Sequence, residues 1–391
     1  MKQPPGFEVK GQESKVYRLK KALYGLKQAP RAWNKRIDSF LIKAGCTKCV
    51  SEHGVYVKGS SKSDHIILCL YVDDLLITGA NEKENMKFKS MLMKEFEMSD
   101  LGNLSYFLGM EFKFTDRGVF LHQKKYAEDI LKRFKMANCN PAITPMETGL
   151  KLSRESPGEL VDATLYKQII GSLRYLCNTR PDISHSVGLL SRFMEQPRSC
   201  HLLAVKRILR FIRGTTDHGV LMPSEKNLKK IEVLGYSDSD WGGDVDDKKS
   251  TAGYLFMIRK ALICWSSKKQ DVVALSSCEA EYVAASYAAC QAMWIKMLLE
   301  EMRICDSTKV KLLIDNKSAI DLAKHPVSHG RSKHIERRYH FLREQVNEDK
   351  LDVEHCRTEV QLADILTKPL KRVRFEELKE LMGMESLDNL Y

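Results

Sequence analysis

The chain has 391 residues, 43% of them hydrophobic, and a formal net charge of +12. That length and apolar content allow two or three domains with real cores. No apolar run reaches the roughly 18–20 residues of a membrane span, the initial MKQPPGFEVKGQ lacks the apolar core of a secretory signal, and eleven scattered cysteines suit reduced thiols in an intracellular setting, cytoplasmic or nuclear.

The basic charge is uneven. Residues 1–50 hold nine Lys and three Arg against Glu8, Glu13 and Asp38, and a second cluster, RSKHIERRYHFLR, spans 331–343. Such clustering fits a polyanionic partner, most simply nucleic acid, or else a solvated helix face. Pro30 opens a helix that places Trp33, Ile37, Phe40, Leu41 and Ala44 on one face, with Gly45 as its stop. Cys46 and Cys49 form a CxxC without the second ligand pair a zinc site needs.

LYVDDLLITG (70–79) reads as a strand pair with Asp73 and Asp74 side by side in an apolar setting. No Gly or Asn is present there to ease a two-residue hairpin. The tip is either solvated or a cation site, because two buried, unpaired carboxylates would cost several kcal/mol each. Asn81 with Glu84 caps a helix carrying Phe88, Met91, Leu92 and Phe96. Residues 104–122 read as a hairpin turning at Thr115-Asp-Arg-Gly118, and Tyr126, Ile130, Leu131 and Phe134 mark another helix.

Residues 138–163, with Pro141, Pro145, Pro157 and Gly158, read as a linker. From 164 to 215 the pattern is helical, broken at TRPD (179–182), with basic faces at Lys206, Arg207, Arg210 and Arg213. Strands follow at 231–237, 252–258 and 261–266, then a long buried helix at 277–302. A strand at 309–314, a helix at 316–324, a basic helix at 334–348, a strand at 351–356 and a helix from about 359 complete a mixed sheet with helices on its faces.

Four acids of this last third sit at element ends. Asp238 closes a strand in YSDSDWGG, Asp315 closes KVKLLI, Glu281 lies in the first turns of the long helix, and Asp364 lies in QLADILTKPL. Ser276-Ser-Cys-Glu279 matches a capping box, which leaves Glu281 free for another task. Taken singly, Asp238 suits a turn, Asp315 a helix cap, Glu281 a helix N-terminus and Asp364 the surface. Together on one sheet edge they form an oxygen-rich set of the type that Mg²⁺ prefers. Two Mg²⁺ ions held about 4 Å apart can activate a water and stabilise the leaving oxygen of a phosphodiester.

The motifs MKQPPGF (1–7), LYGLKQAPRAW (23–33), YVDD (71–74), DLGNLSYFLGMEF (100–112), GSLRYLCNTRPDI (171–183), YSDSDWGGD (236–244), DNKSAI (315–320) and QLADILTKPL (361–370) occur in this order. The chain resembles the C-terminal part of a copia-type retrotransposon Pol polyprotein. The resemblance implies an α+β and α/β multidomain fold: a reverse transcriptase palm remnant (1–145), a helical connection (146–228), a ribonuclease H-like domain (229–372) and a tail (373–391). It implies that Asp73 and Asp74 bind metal on a palm hairpin, and that Gly25, Gln28 and Pro30 help position template and nucleotide. It implies that Asp238, Glu281, Asp315 and Asp364 are the catalytic, metal-binding acids of ribonuclease H. Asp240 is a neighbour easily confused with Asp238. Arg331, Lys333, His334, Arg337 and Arg338 would touch nucleic-acid phosphates.

The implied cofactor is Mg²⁺, two ions per site, with Mn²⁺ as an alternative and no small-molecule cofactor. The implied partners are RNA, DNA and their hybrid, with no membrane and with a longer Pol protein in trans as a further candidate. The family's third polymerase aspartate lies upstream of the MKQPPGF segment, which here begins the chain. Glu8, Glu13, Asp38, Glu52 and Asp64 lie in polar or helical surroundings and do not replace it. Polymerase activity is therefore expected to be lost and ribonuclease H activity retained. The alternative is a degenerate or repurposed protein that only binds nucleic acid.

Overall fold

The computed structural model describes residues 1–59, 65–224, 231–305, 309–325 and 335–390. They form two compact units, Met1–Leu101 with Leu298–Ile304, and Gly102–Met297 with Cys305–Tyr391.

In the first unit, α1 (Ala29–Lys43) starts on Pro30 and ends before Gly45, which has φ +87°. The strands β1 (Thr47–Lys48), β2 (Val55–Lys58), β3 (Ile66–Tyr71) and β4 (Asp74–Gly79) form an antiparallel meander in sequence order. The helix α2 (Glu82–Glu95) is capped by Asn81, whose side chain accepts from the Lys83 N–H. The apolar faces of both helices close on the sheet through Ile37, Leu41, Tyr56, Leu68, Phe88, Leu92 and Phe96. Trp33 and Phe40 meet the Phe96 ring edge-on at 5.5 and 5.2 Å. The helix stripes read from sequence are therefore the core stripes.

Tyr71 pairs with Asp74, so Val72 and Asp73 form a two-residue turn. Val72 has φ +54°, a conformation that costs a β-branched residue about 1–2 kcal/mol. The Trp33 indole N–H donates to the Val72 carbonyl at 2.6 Å and holds the turn from α1. Val72→Asn is expected to raise the stability of this unit by about 1 kcal/mol, because Asn tolerates the left-handed region. Urea unfolding of the full chain with Trp241, Trp265 and Trp294 replaced by Phe, so that fluorescence reports Trp33, checks this; an earlier midpoint would contradict it.

The second unit holds two sheets. Strands β5 (Tyr106–Phe107), β6 (Met110–Thr115), β7 (Gly118–His122) and β8 (His218–Pro223) belong to one antiparallel sheet. Between β7 and β8 lie α3 (Lys124–Arg133), α4 (Ala163–Leu176), α5 (Ser184–Leu190) and α6 (Ser199–Arg213). Strands β9 (Val233–Ser239), β10 (Thr251–Ile258) and β11 (Ala261–Lys269) begin the other sheet. They are followed by α7 (Ser277–Glu301), β12 (Val310–Ile314), α8 (Lys317–Lys324), α9 (Phe341–Asn347), β13 (Leu351–His355), α10 (Arg372–Leu381) and β14 (Met384–Ser386). The second sheet runs β11-β10-β9-β12-β13, with β9–β11 antiparallel and β9, β12 and β13 parallel. This is the mixed sheet expected from the sequence. The Ala-rich α7 is buried along Ala280, Val283, Ala284, Ala288 and Ala292, as expected.

Three features depart from the sequence reading. The hairpin at 104–122, read with the first module, lies in the second unit because β7 pairs with β8. Residues 373–391, read as a tail, supply β14, which extends that same sheet along β8, and bury Phe375, Leu378, Met382 and Met384 in the core. The stretch 138–163, read as a linker, is strapped to α6. Arg207 reaches Glu147 at 2.7 Å, Arg210 donates to the Asn140 carbonyl at 2.8 Å, and Arg213 donates to the Ala137 carbonyl at 2.7 Å. One apolar core joins α3–α6 and α10 to Leu255 and Met257 of β10 and Leu262 of β11, so the helical segment and the mixed sheet are packed as one body.

Candidate active site

Strand register brings the first two acids together. Ser237 of β9 pairs with Ile314 of the parallel β12, so the next residues, Asp238 near the end of β9 and Asp315 just past β12, lie side by side at the same level. Asn316, not Asp315, caps α8, accepting from the Ala319 N–H at 3.1 Å. That frees the Asp315 carboxylate. Ser276 accepts from the Glu279 N–H at 3.1 Å, and the Glu279 carboxylate reaches back to the Leu275 N–H at 2.8 Å. The N-terminus of α7 is thereby fixed, and Glu281 points from its second turn to accept from the Ser239 N–H at 3.2 Å.

Carboxylate oxygens of Asp238, Glu281 and Asp315 all lie within 4.8 Å of one another. Asp238 and Glu281 are buried, Asp315 half-buried, and Glu281 Oε2 has no hydrogen-bond partner. A buried carboxylate oxygen without a partner is costly, so these residues fit a divalent cation, which would supply that missing contact. Burial, then the charges of Asp238 and Asp315, push the Glu281 carboxyl well above its ordinary range. Burial and Asp238 also raise Asp315.

Asp364 arrives differently. It lies in a 3-10 turn, Leu362–Leu366, rather than in the first turns of an α-helix. Buried Gln361 anchors that turn, donating to the Ser237 carbonyl at 2.9 Å. Gly253 of β10 sits beneath it: a Cβ there would lie 2.7 Å from Thr367 and 2.8 Å from Leu366. Only glycine lets this segment approach the sheet so closely. Thr367 donates its hydroxyl to Asp238. Asp364 is not in the three-acid group. Its Oδ1 lies 2.7 Å from Lys368 Nζ, which is also 3.7 Å from Asp238 Oδ2. Burial and the Asp238 charge lift the Asp364 carboxyl to about 6 against the pull of Lys368.

Asp240 separates cleanly from Asp238. Its carboxylate accepts from the Thr251 N–H, and burial pushes it up to about 6. Asp244 in the same loop takes Arg192 at 2.9 Å and Lys269 at 2.6 Å. Sequence reasoning passed over Thr367, Lys368, Gln361 and Gly253. The spacing of Asp364 and Lys368 was the one available signal, since a residue four along often pairs with an acid.

The other expected contacts divide. Asp73 and Asp74 are exposed at the β3–β4 turn, and among the described residues no third carboxylate gathers with them. Gly25 has φ +88° in the exposed segment before α1, Gln28 precedes that helix and Pro30 lies in its first turn. Arg337 is exposed, whereas Arg338 pairs with Glu336 at 2.8 Å and covers the Tyr339 ring at 4.7 Å. Arg331, Lys333 and His334 lie outside the described residues. No described helix is long and apolar enough to cross a membrane.

Residues 1–148 match the family model "Reverse transcriptase (RNA-dependent DNA polymerase)". The chain is 43% identical to the retrovirus-related Pol polyprotein from transposon TNT 1-94 of Nicotiana tabacum, over 99% of this chain and 29% of that protein. It is 35% identical to a transposon Ty5-1 protein of Saccharomyces cerevisiae, over 73% of this chain and 92% of the relative. The chain thus spans less than a third of the length of the Pol polyproteins it matches first. The N-terminal RNase H domain of a Mycobacterium tuberculosis protein overlaps 39% of this chain and 98% of that one, at 12% identity and a TM-score of 0.26.

Proposed function

The chain belongs to the copia-type retrotransposon Pol polyproteins, and on that premise we propose that it hydrolyses the RNA strand of an RNA–DNA hybrid with the help of divalent cations, Mg²⁺ first among them. The observation that carries this reading is the convergence of Asp238, Glu281 and Asp315 on one sheet edge, with a buried Glu281 oxygen left without a partner. Divalent ions bound there supply water activation and stabilisation of the leaving oxygen. Asp238 and Asp315 hold that position from two rigid neighbouring strands, and Glu281 holds it from a capped helix. Rigid placement of this kind lowers the reorganisation needed during reaction. Hybrid geometry and the 2′-hydroxyl select the strand, and basic residues such as Arg337 would contact its phosphates. Asp73 and Asp74, as the polymerase pair of the family's palm, are a second metal-binding proposal of their own.

The test is cleavage of a labelled RNA–DNA hybrid by the full chain in Mg²⁺, beside RNA and DNA duplexes and a primer-extension assay. Cutting confined to the RNA of the hybrid, and abolished by chelation, is the expected result. Hybrid binding without cutting would favour the reading of a protein that only binds nucleic acid.

The shifted carboxyls add a pH signature. Glu281, Asp315 and Asp364 keep protons in the folded, metal-free chain above the pH at which the unfolded chain releases them. Their contribution to stability is present at low pH and is lost as pH rises, for Asp364 through about 6. A bound cation favours the ionised forms instead. The rise in melting temperature caused by Ca²⁺ or Mg²⁺, relative to chelator, is therefore expected to grow from pH 5 to pH 7.5. Buried histidines such as His185, pushed down to about 3 by burial, are common to both forms and cancel in this difference. A metal-induced shift that shrinks over that range would contradict the cluster as the metal site.

A further inference from the structure

Lys368 is a cation already placed among the acids. Its Nζ lies 2.7 Å from Asp364 Oδ1 and 3.7 Å from Asp238 Oδ2, and it bridges the fourth acid to one of the other three. Its side chain is 41% exposed, so the ammonium can swing out without crossing the core. Arg374 makes a contrast. It backs the other Asp364 oxygen at 3.8 Å but is tied by its guanidinium to the Glu359 and Thr358 carbonyls, and is a fixed charge. The two sides of the cluster therefore differ. Asp238, Glu281 and Asp315 bring three carboxylate oxygens together, while the ammonium reaches one oxygen of Asp364 and one of Asp238.

Resting on the metal-site reading above, we propose that Lys368 is an internal stand-in cation, a positioning residue that joins Asp238 to Asp364 before metal binds and competes with a divalent ion for the space between them. A single mobile charge of this kind stabilises the crowded acids in the metal-free chain, where like charges would otherwise repel. It also sets an order: the three-acid cradle fills first, and the Asp238–Asp364 gap fills only when the lysine withdraws.

The experiment compares the full-length chain with Lys368→Met, Lys368→Arg and Asp315→Asn, measuring Ca²⁺ and Mn²⁺ binding by calorimetry and melting temperature in chelator. No nucleic acid is needed. Lys368→Met is expected to melt lower in chelator and to bind the weaker of two ions about tenfold more tightly, a change equivalent to about 1.4 kcal/mol. Lys368→Arg, which keeps the charge, should stay near the parent protein. Asp315→Asn should weaken the tighter ion. Weaker or unchanged metal binding in Lys368→Met, with Asp315→Asn still impaired, overturns the stand-in role alone. Unchanged binding in Asp315→Asn overturns the metal site itself, and the role of Lys368 falls with it.

Discussion

Asp238→Asn is expected to reduce hybrid cleavage on the order of 10²–10³-fold, the size of effect seen when one preorganised electrostatic group is removed from an active site. Asp238 is the acid the others are built around. It lies near the end of β9 beside Asp315, accepts from Thr367 and lies 3.7 Å from Lys368. Its charge is among the causes that raise Glu281, Asp315 and Asp364. Asparagine keeps the shape and can still accept from Thr367, so the fold has no reason to fail. Removing one negative charge relieves repulsion, and the variant is expected to melt in chelator no lower than the parent. Active sites often hold this kind of opposition between stability and function. Single-turnover cleavage and a melting curve on one preparation check both halves. Cleavage within about threefold of the parent would remove Asp238 from the catalytic set.

The largest effect on stability is expected at the TRPD segment. Arg180 and Asp182 are 1% and 2% exposed. They pair in bidentate fashion, Nε to Oδ1 at 2.9 Å and Nη2 to Oδ2 at 2.8 Å. Arg180 also donates to the Thr215 carbonyl at 2.6 Å and to its hydroxyl at 2.8 Å, just past the end of α6. The guanidinium sits 5.5 Å from the centre of the Phe211 ring. The break between α4 and α5 is thus a brace that fastens their turn to a third helix. Arg180→Met leaves Asp182 buried without its partner, at a cost of about 3–5 kcal/mol. Removing both charges, as Arg180→Met with Asp182→Leu, is expected to recover most of that loss, since matched apolar replacements of buried ion pairs are often neutral. Urea unfolding of the parent, single and double variants gives the coupling. A single variant within about 0.5 kcal/mol of the parent would mean the pair carries no strain-bearing role.

Much of this was legible in the sequence because it depends on short-range rules. Pro30 and Gly45 bound α1, Asn81 starts α2, and Ser276 with Glu279 caps α7. Each signal lies within a few residues of its effect. The acids at the ends of β9 and β12 could be paired because both strands run in one sheet. What was not legible depends on distant partners. The three residues of β14 carry no strand signature of their own and become a strand only by pairing with β8. The stretch 138–163 looks like a polar linker until arginines far along α6 claim the carbonyls of Asn140 and of Ala137 just before it. Asp364 read as helical because its motif is helix-like, yet the close approach allowed by Gly253 turns that segment into a tight 3-10 turn. Lys368 was missed for the same reason: its importance lies in Asp238, on a strand more than a hundred residues earlier.

The pairing of β14 with β8 also governs when the second unit can finish folding. The sheet begun at β5 gains its outermost strand only after the helical segment and every strand of the mixed sheet have been made. Until then Phe375, Leu378, Met382 and Met384 are missing from the core, and β8 presents an unpaired edge to other chains. Pairings this distant in sequence close late and slowly. During synthesis the growing chain is therefore exposed to misassembly. A ribosome halted shortly before residue 384 would release a protein with every acid of the cluster in place and its sheet still open.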